Sequence, residues 1–107
     1  MQISYAREKL HSAVTGMAVS ANSIERRVCD AYIYDLIHIR PAGLPPEMSA
    51  ELTEIAAVMS TRQAFGDKGG AWASCSKLSD DDDCDVARKI VDLWERVDSS
   101  DPMRTWN

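Results

Sequence analysis

Apolar residues recur through the first third of the chain with the period of an α-helix. Leu10, Val14, Met17, Ala21, Ile24, Val28 and Ala31 follow one another at spacings of 4, 3, 4, 3, 4 and 3, which puts them on one helical face. Ser4 stands before the stripe as a candidate N-cap. One straight helix from 5 to 40 would be about 54 Å long, too long for a domain of this size. The polar group Ser20, Asn22 and Ser23 offers a stop and a new N-cap at Ser23. The pattern therefore predicts helices near 5–20 and 23–40, or one helix kinked between Ser20 and Ser23.

The stretch VCDAYIYDLIHI, from Val28 to Ile39, is the most apolar in the chain. A helix apolar on most sides is either central in the core or part of an interface, so burial in the monomer and a homodimer contact both stay open. Pro41, Gly43, Pro45 and Pro46 end it, because a residue before proline is pushed out of the helical region. Pro46 suits the first turn of a new helix, where a missing N–H costs nothing, and Glu47 complements the positive helix end. Met48, Leu52, Ile55 and Met59 continue at spacings of 4, 3 and 4, predicting a third helix over 46–61.

Residues 62–78, RQAFGDKGGAWASCSKL, lack a sustained period and contain three glycines. They read as a long loop that Phe65, Trp72 and Leu78 could pin to the core. A fourth helix is predicted over 80–98, with Val86, Ala87, Ile90, Leu93, Trp94 and Val97 facing inward, and a loose tail over 99–107. The fold class is all-α: one domain over 1–107, a small four-helix bundle with a long loop between helices three and four. Leu10, Val14, Met17, Ile24, Val28, Leu36, Leu52, Ile55, Met59, Ile90, Trp94 and Val97 form the expected core.

Composition agrees with this reading. Of the 107 residues, 45% are apolar, enough for a core, and the single phenylalanine leaves that core aliphatic. The net charge of −5 is unevenly placed. Residues 1–78 carry eight acids and eight bases, whereas 79–107 carry nine acids and four bases. No clustered Lys and Arg face is available to neutralise phosphates, so direct nucleic-acid binding is not expected. No run approaches the roughly 18 apolar residues of a membrane span. MQISYAREKLHSAV lacks a basic stretch followed by an apolar core, so no secretory signal is expected. Cys29, Cys75 and Cys84 form no tight spacing and do not read as a disulfide framework; a reducing cytoplasm is the expected location.

Asp80, Asp81, Asp82, Asp83 and Asp85 pack five acids into six positions. The simplest reading is helix initiation, with Ser79 and Asp82 in capping-box spacing and carboxylates in the first turn. Calcium is a second reading. Asp81, Asp83, Asp85 and Asp92 match the first, third, fifth and twelfth places of an EF-hand loop, but Val86 stands where the loop needs glycine. Arg88 and Lys89 would also carry positive charge into the cation's shell. No metal site and no cofactor are expected. The third reading is recognition, an acidic patch presented to a basic partner.

Candidate chemistry is sparse. His38 follows Asp35 by three residues, a spacing at which their side chains can meet, although a histidine in a helix's last turn also suits its negative end. Cys29 reads as a small buried hydrophobe. Acidic neighbours disfavour the Cys84 thiolate, and Cys75 has no identifiable base. GDKGG, residues 66–70, lacks the order of a phosphate-binding loop. No nucleophile, base and orienting group fall together, so an enzyme is not expected.

The leading expectation is a small acidic helical protein acting through protein–protein contact, an adaptor or accessory subunit, using Tyr32 and Tyr34 of helix two or Trp72 of the loop. The alternative is an inhibitor or immunity-type protein that sets Asp80–Asp83 and Asp85 into a basic or nucleic-acid-binding site. An enzyme using His38 with Asp35, or Cys75, stands third.

Overall fold

The computed structural model describes residues 2–65 and 80–100. Among them are four α-helices, α1 (Gln2–Val19), α2 (Ile24–Tyr34), α3 (Pro46–Phe65) and α4 (Asp80–Ser100), with single 3-10 turns at Leu36–His38 and Pro41–Gly43. No strand occurs among the described residues. The chain is an all-α helical bundle.

α1 begins at Gln2, so Ser4 lies inside the helix rather than capping it. The reason is an inward row that starts earlier than Leu10: Ile3, Ala6, Leu10, Ala13 and Met17 are all buried, at spacings of 3, 4, 3 and 4. α1 and α2 are separate helices. Ser23 has extended backbone angles, φ −61° and ψ 162°, and its hydroxyl accepts the Arg26 N–H at 3.3 Å, a helix N-cap of the expected kind.

α2 stops at Tyr34, well short of the predicted residue 40. The stop spreads backward from Pro41, which forces Arg40 extended at φ −90° and ψ 119°. Ile39 is extended as well, and the intervening Leu36–His38 tightens into a 3-10 turn. That turn resolves the all-round apolar stretch. Val28, Cys29, Ala31, Tyr32, Leu36 and Ile39 are buried, while Tyr34 and Ile37 stay exposed.

Pro46 opens α3, with Glu47 in its first turn. The helix runs to Phe65 rather than 61, because Arg62, Gln63 and Ala64 are good helix formers and the first strong stop is Gly66. The predicted loop thus loses 62–65 to the helix, and Trp72, Leu78 and the rest of 66–79 lie outside the described residues. α4 continues to Ser100, taking two residues from the predicted tail; 101–107 also lie outside the described residues.

Ion pairs and ring contacts give the directions of packing. Arg7 meets Asp98 at 3.3 Å and His11 meets Trp94 at 6.0 Å between ring centroids, so α1 and α4 are antiparallel. Glu51 meets Arg96 at 3.0 Å and Glu54 meets Lys89 at 3.7 Å, so α3 and α4 are antiparallel too. α1 also packs along α2, and α3 packs on α4 and the Pro41–Gly43 turn but only sparsely on α2.

Leu10, Val28, Leu36, Ile55, Met59, Ile90, Leu93 and Val97 lie deepest. Each such side chain stabilises the fold by about 1.5–3 kcal/mol through removal from water. Val14, Ile24 and Trp94 pack at the margin of this core. Cys29 is fully buried and disulfide-bonded, whereas Cys84 is exposed and free. Its burial is that of the expected small core residue, and its bond corrects the expectation that the cysteines form no disulfide framework. Spacing along the chain carries no information about which cysteines meet in three dimensions.

Candidate protein-docking face

Among the described residues, one long face of α1 stays largely exposed beside α2. Tyr5, Lys9, Ser12, Gly16 and Val19 follow at spacings of 4, 3, 4 and 3, which aligns them on a single side of the helix. Tyr5 and Val19, two of the large apolar residues exposed on the molecule, sit at its ends, and the Lys9 ammonium lies 5.9 Å from the centre of the Tyr5 ring. Between them the surface drops into a groove of 210 Å³ shared with α2. Ser12, Ala13, Gly16 and Ala31 line it, and Arg27, Asp30, Tyr34 and Asp35 stand at its α2 side.

Gly16 is the notable residue of this groove. Its backbone is helical, and the Ser20 N–H donates to its carbonyl at 3.1 Å. Among the described residues, a methyl group added at its Cα would meet nothing within 4 Å. Glycine inside a helix costs about 0.5–1 kcal/mol relative to alanine, and no neighbour among the described residues requires it here. The α2 wall is orderly: Arg27 Nε donates to the Asn22 carbonyl at 2.8 Å, and Asp30 lies 3.9 Å from Arg26.

The residues singled out in the sequence divide between surface and interior. Tyr34 is 59% exposed and lines the groove, but Tyr32 is only 6% exposed and belongs to the core. Two positions are about 200° around an α-helix, so the two tyrosines lie on nearly opposite sides of α2, and Tyr32 is corrected from a contact residue to a packing residue. Trp72 lies outside the described residues. Nothing in the sequence marks Gly16 or Ser12 as functional, because Gly16 reads as a weak helix interruption. Only its empty surroundings in three dimensions mark it.

The acidic cluster is smaller at the surface than in the sequence. Asp80 is the first residue of α4, and Asp81, Asp82 and Asp85 are exposed. Asp85 is held by Arg88 at 3.3 Å. Asp83 is fully buried, so it is corrected from the outward patch. Its position explains this: Asp83, Val86, Ile90, Leu93 and Val97 run at spacings of 3, 4, 3 and 4, one inward row. Residues 80–100 are a single continuous helix, which rules out the coiled loop that an EF-hand geometry needs. Among the described residues no group of His, Cys, Asp and Glu is placed to hold a metal ion.

Two further concavities flank α4. One of 340 Å³ lies against α1 and is lined by Arg7, Glu8, His11, Trp94 and Asp98, with both charge signs already joined in the Arg7–Asp98 pair. The other, of 630 Å³, lies against α3 with Glu47, Met48, Asp92, Glu95 and Arg96 among its lining. His38 is exposed on its 3-10 turn, its N–H donating to the Asp35 carbonyl at 3.1 Å. Asp35 itself faces the α1–α2 groove, whose lining does not include His38. Cys75 lies outside the described residues. No helix among the described residues is long and apolar enough to cross a membrane.

No protein-family model, curated protein or solved structure matches the chain.

Proposed function

We propose that the chain is a protein-binding module, an adaptor or accessory subunit, whose α1–α2 face receives an α-helix of its partner. The observation that carries this reading is Gly16, an exposed helical glycine over open space, set in a groove between exposed Tyr5, Val19 and Tyr34. A helix packs on its neighbour at axis separations of about 8–10 Å, and small residues at Ser12, Ala13 and Gly16 allow the closer end of that range. Tyrosines offer large, rigid contact area at low entropic cost. Arg27, Asp30 and Asp35 supply a rim of both charge signs, which favours a partner helix with mixed charge beside an apolar ridge.

The acidic alternative has less support. Asp83 is turned inward and Asp85 already pairs with Arg88.

The test is capture of a partner from an extract of the source cells by the tagged chain, compared across variants and salt concentrations. Wild type and a triple variant, Asp81→Asn with Asp82→Asn and Asp85→Asn, are expected to retain the same protein through high salt. Gly16→Trp, which fills open space and leaves the fold intact by circular dichroism, is expected to lose it. Retention by Gly16→Trp together with loss by the triple variant would replace this reading with the acidic one.

A further inference from the structure

The exposed ridge of α1 is nearly symmetric about Ser12. Tyr5 and Val19 each stand seven residues from it, and Lys9 and Gly16 stand three and four residues away on opposite sides. Turned end for end, such a ridge faces itself: Tyr5 comes opposite Val19, Lys9 beside Gly16, and Ser12 opposite Ser12. On the reading of the α1–α2 face as a helix-docking surface, we infer that the helix it receives is α1 of a second copy of the chain, antiparallel to the first about a two-fold axis at Ser12.

Shape and charge both fit this occupant. Tyr5 is 47% and Val19 76% exposed in the single chain, and the pairing sets each against the other in two symmetric contacts. Lys9 comes over Gly16, where there is no Cβ and an added methyl group would meet no described residue within 4 Å. Its apolar stem has room there, and the ammonium extends to the edge of the contact. Asp30 shares the groove with Gly16. Arg26 approaches the Asp30 Oδ1 only to 3.9 Å, and that oxygen accepts no hydrogen bond among the described residues. A lysine ammonium is the complementary donor for that carboxylate. Arg27, on the same wall, holds the Asn22 carbonyl through its Nε at 2.8 Å, and Asp35 adds a second carboxylate to the lining. The groove thus carries two carboxylates against one guanidinium, and the ridge that enters it carries a lysine.

Because the same patch serves on both copies, every contact occurs twice and the assembly closes as a dimer rather than growing into a filament. The register also fixes a distance. Helix axes about 8–10 Å apart, with Cα atoms about 2.3 Å from each axis, leave facing Cα atoms about 3.5–5.5 Å apart. Two cysteines at position 12 would then lie within reach of a disulfide.

Sedimentation equilibrium of the full chain across about 1–100 µM should return the mass of two chains. Lys9→Glu and Asp30→Lys, each checked for folding by circular dichroism, should each raise the dimer dissociation constant about a hundredfold. Both changes in one chain should restore the dimer. Cross-linking gives a second readout. A Ser12→Cys, Cys84→Ser chain should oxidise to a dimer whose linked peptides join position 12 to position 12, and mixed Tyr5→Cys and Val19→Cys chains should link 5 to 19. A wild-type chain that stays monomeric across this range, or a dimer that both charge reversals leave intact, would overturn the inference. A monomer that still captures a different protein, and loses it on Gly16→Trp, removes the second copy but keeps the docking face. A dimer indifferent to Lys9→Glu, with capture indifferent to Gly16→Trp, removes both.

Discussion

Replacing Gly16 by alanine tests the logic of the docking face at the level of folding. Gly16 lies within α1, its carbonyl accepting the Ser20 N–H, and a new methyl group would touch no described residue within 4 Å. The substitution neither fills a cavity nor creates a clash, so what remains is the backbone term. Alanine is favoured over glycine in a helix interior by about 0.5–1 kcal/mol, mostly because the unfolded chain has fewer states to lose. The lower part of that range fits a residue in the last turn of α1. For a domain of this size the gain corresponds to about 2–8 °C in Tm, and to about 0.2–1 M in the urea midpoint. Urea titrations followed by circular dichroism at 222 nm measure this directly, with unchanged slope showing that the denatured state is comparable. A Gly16→Ala chain that is less stable than wild type, or equal to it, would refute the reasoning. The glycine would then serve the bundle itself, and its presence would no longer point to a partner.

Three further outcomes follow from the packing. Ile90, fully buried at the centre of α4, should lose about 2–5 kcal/mol on truncation to alanine, measured by the same titration; a loss under about 1 kcal/mol would place it outside the core. Ser23→Ala removes the hydroxyl that accepts the Arg26 N–H and should cost about 1 kcal/mol, with the loss of amide protection concentrated in the first turn of α2 by hydrogen exchange. Arg7 and Arg88 each pair with an aspartate at 3.3 Å, but the Arg7 pair is mostly covered and the Arg88 pair is open to water. Thermal melts should therefore show Arg7→Met destabilised by about 1–3 kcal/mol and Arg88→Met changed by less than about 0.5 kcal/mol; equal effects would contradict the assigned difference in burial.

Much of the bundle is legible in the sequence because its signals are local. Ser23 announces the start of α2 through its own hydroxyl, and Pro46 announces α3 through a missing N–H. The 3–4 rows of α3 and α4 identify Leu52, Ile55, Met59, Ile90 and Val97 as core before any tertiary information is used. The early end of α2 is harder to see, because the restriction imposed by Pro41 reaches back through Arg40 and Ile39 to the turn at Leu36–His38. Asp83 shows composition overriding pattern: its place three residues before Val86 assigns it inward, yet its charge and its neighbours suggest a surface.

The proposed docking face is legible only in part. Tyr34 is exposed and lines the α1–α2 groove, whereas Tyr32, two residues away, turns into the core. Gly16 reads as a minor flaw in a helix until its surroundings are seen to be empty. The state of Cys29 is a tertiary fact, fixed by which segments the fold brings together, and no spacing along the chain encodes it.

Site-specific photo-crosslinking tests the proposed contact most directly. A benzophenone amino acid is placed at Ser12, on the floor of the α1–α2 groove, or at Asp82, on the exposed start of α4, and each chain is irradiated in the cell extract. Adducts from position 12 that map to a helical segment of a single partner, with none from position 82, are the predicted result. Adducts from position 82 and none from position 12 would contradict the account.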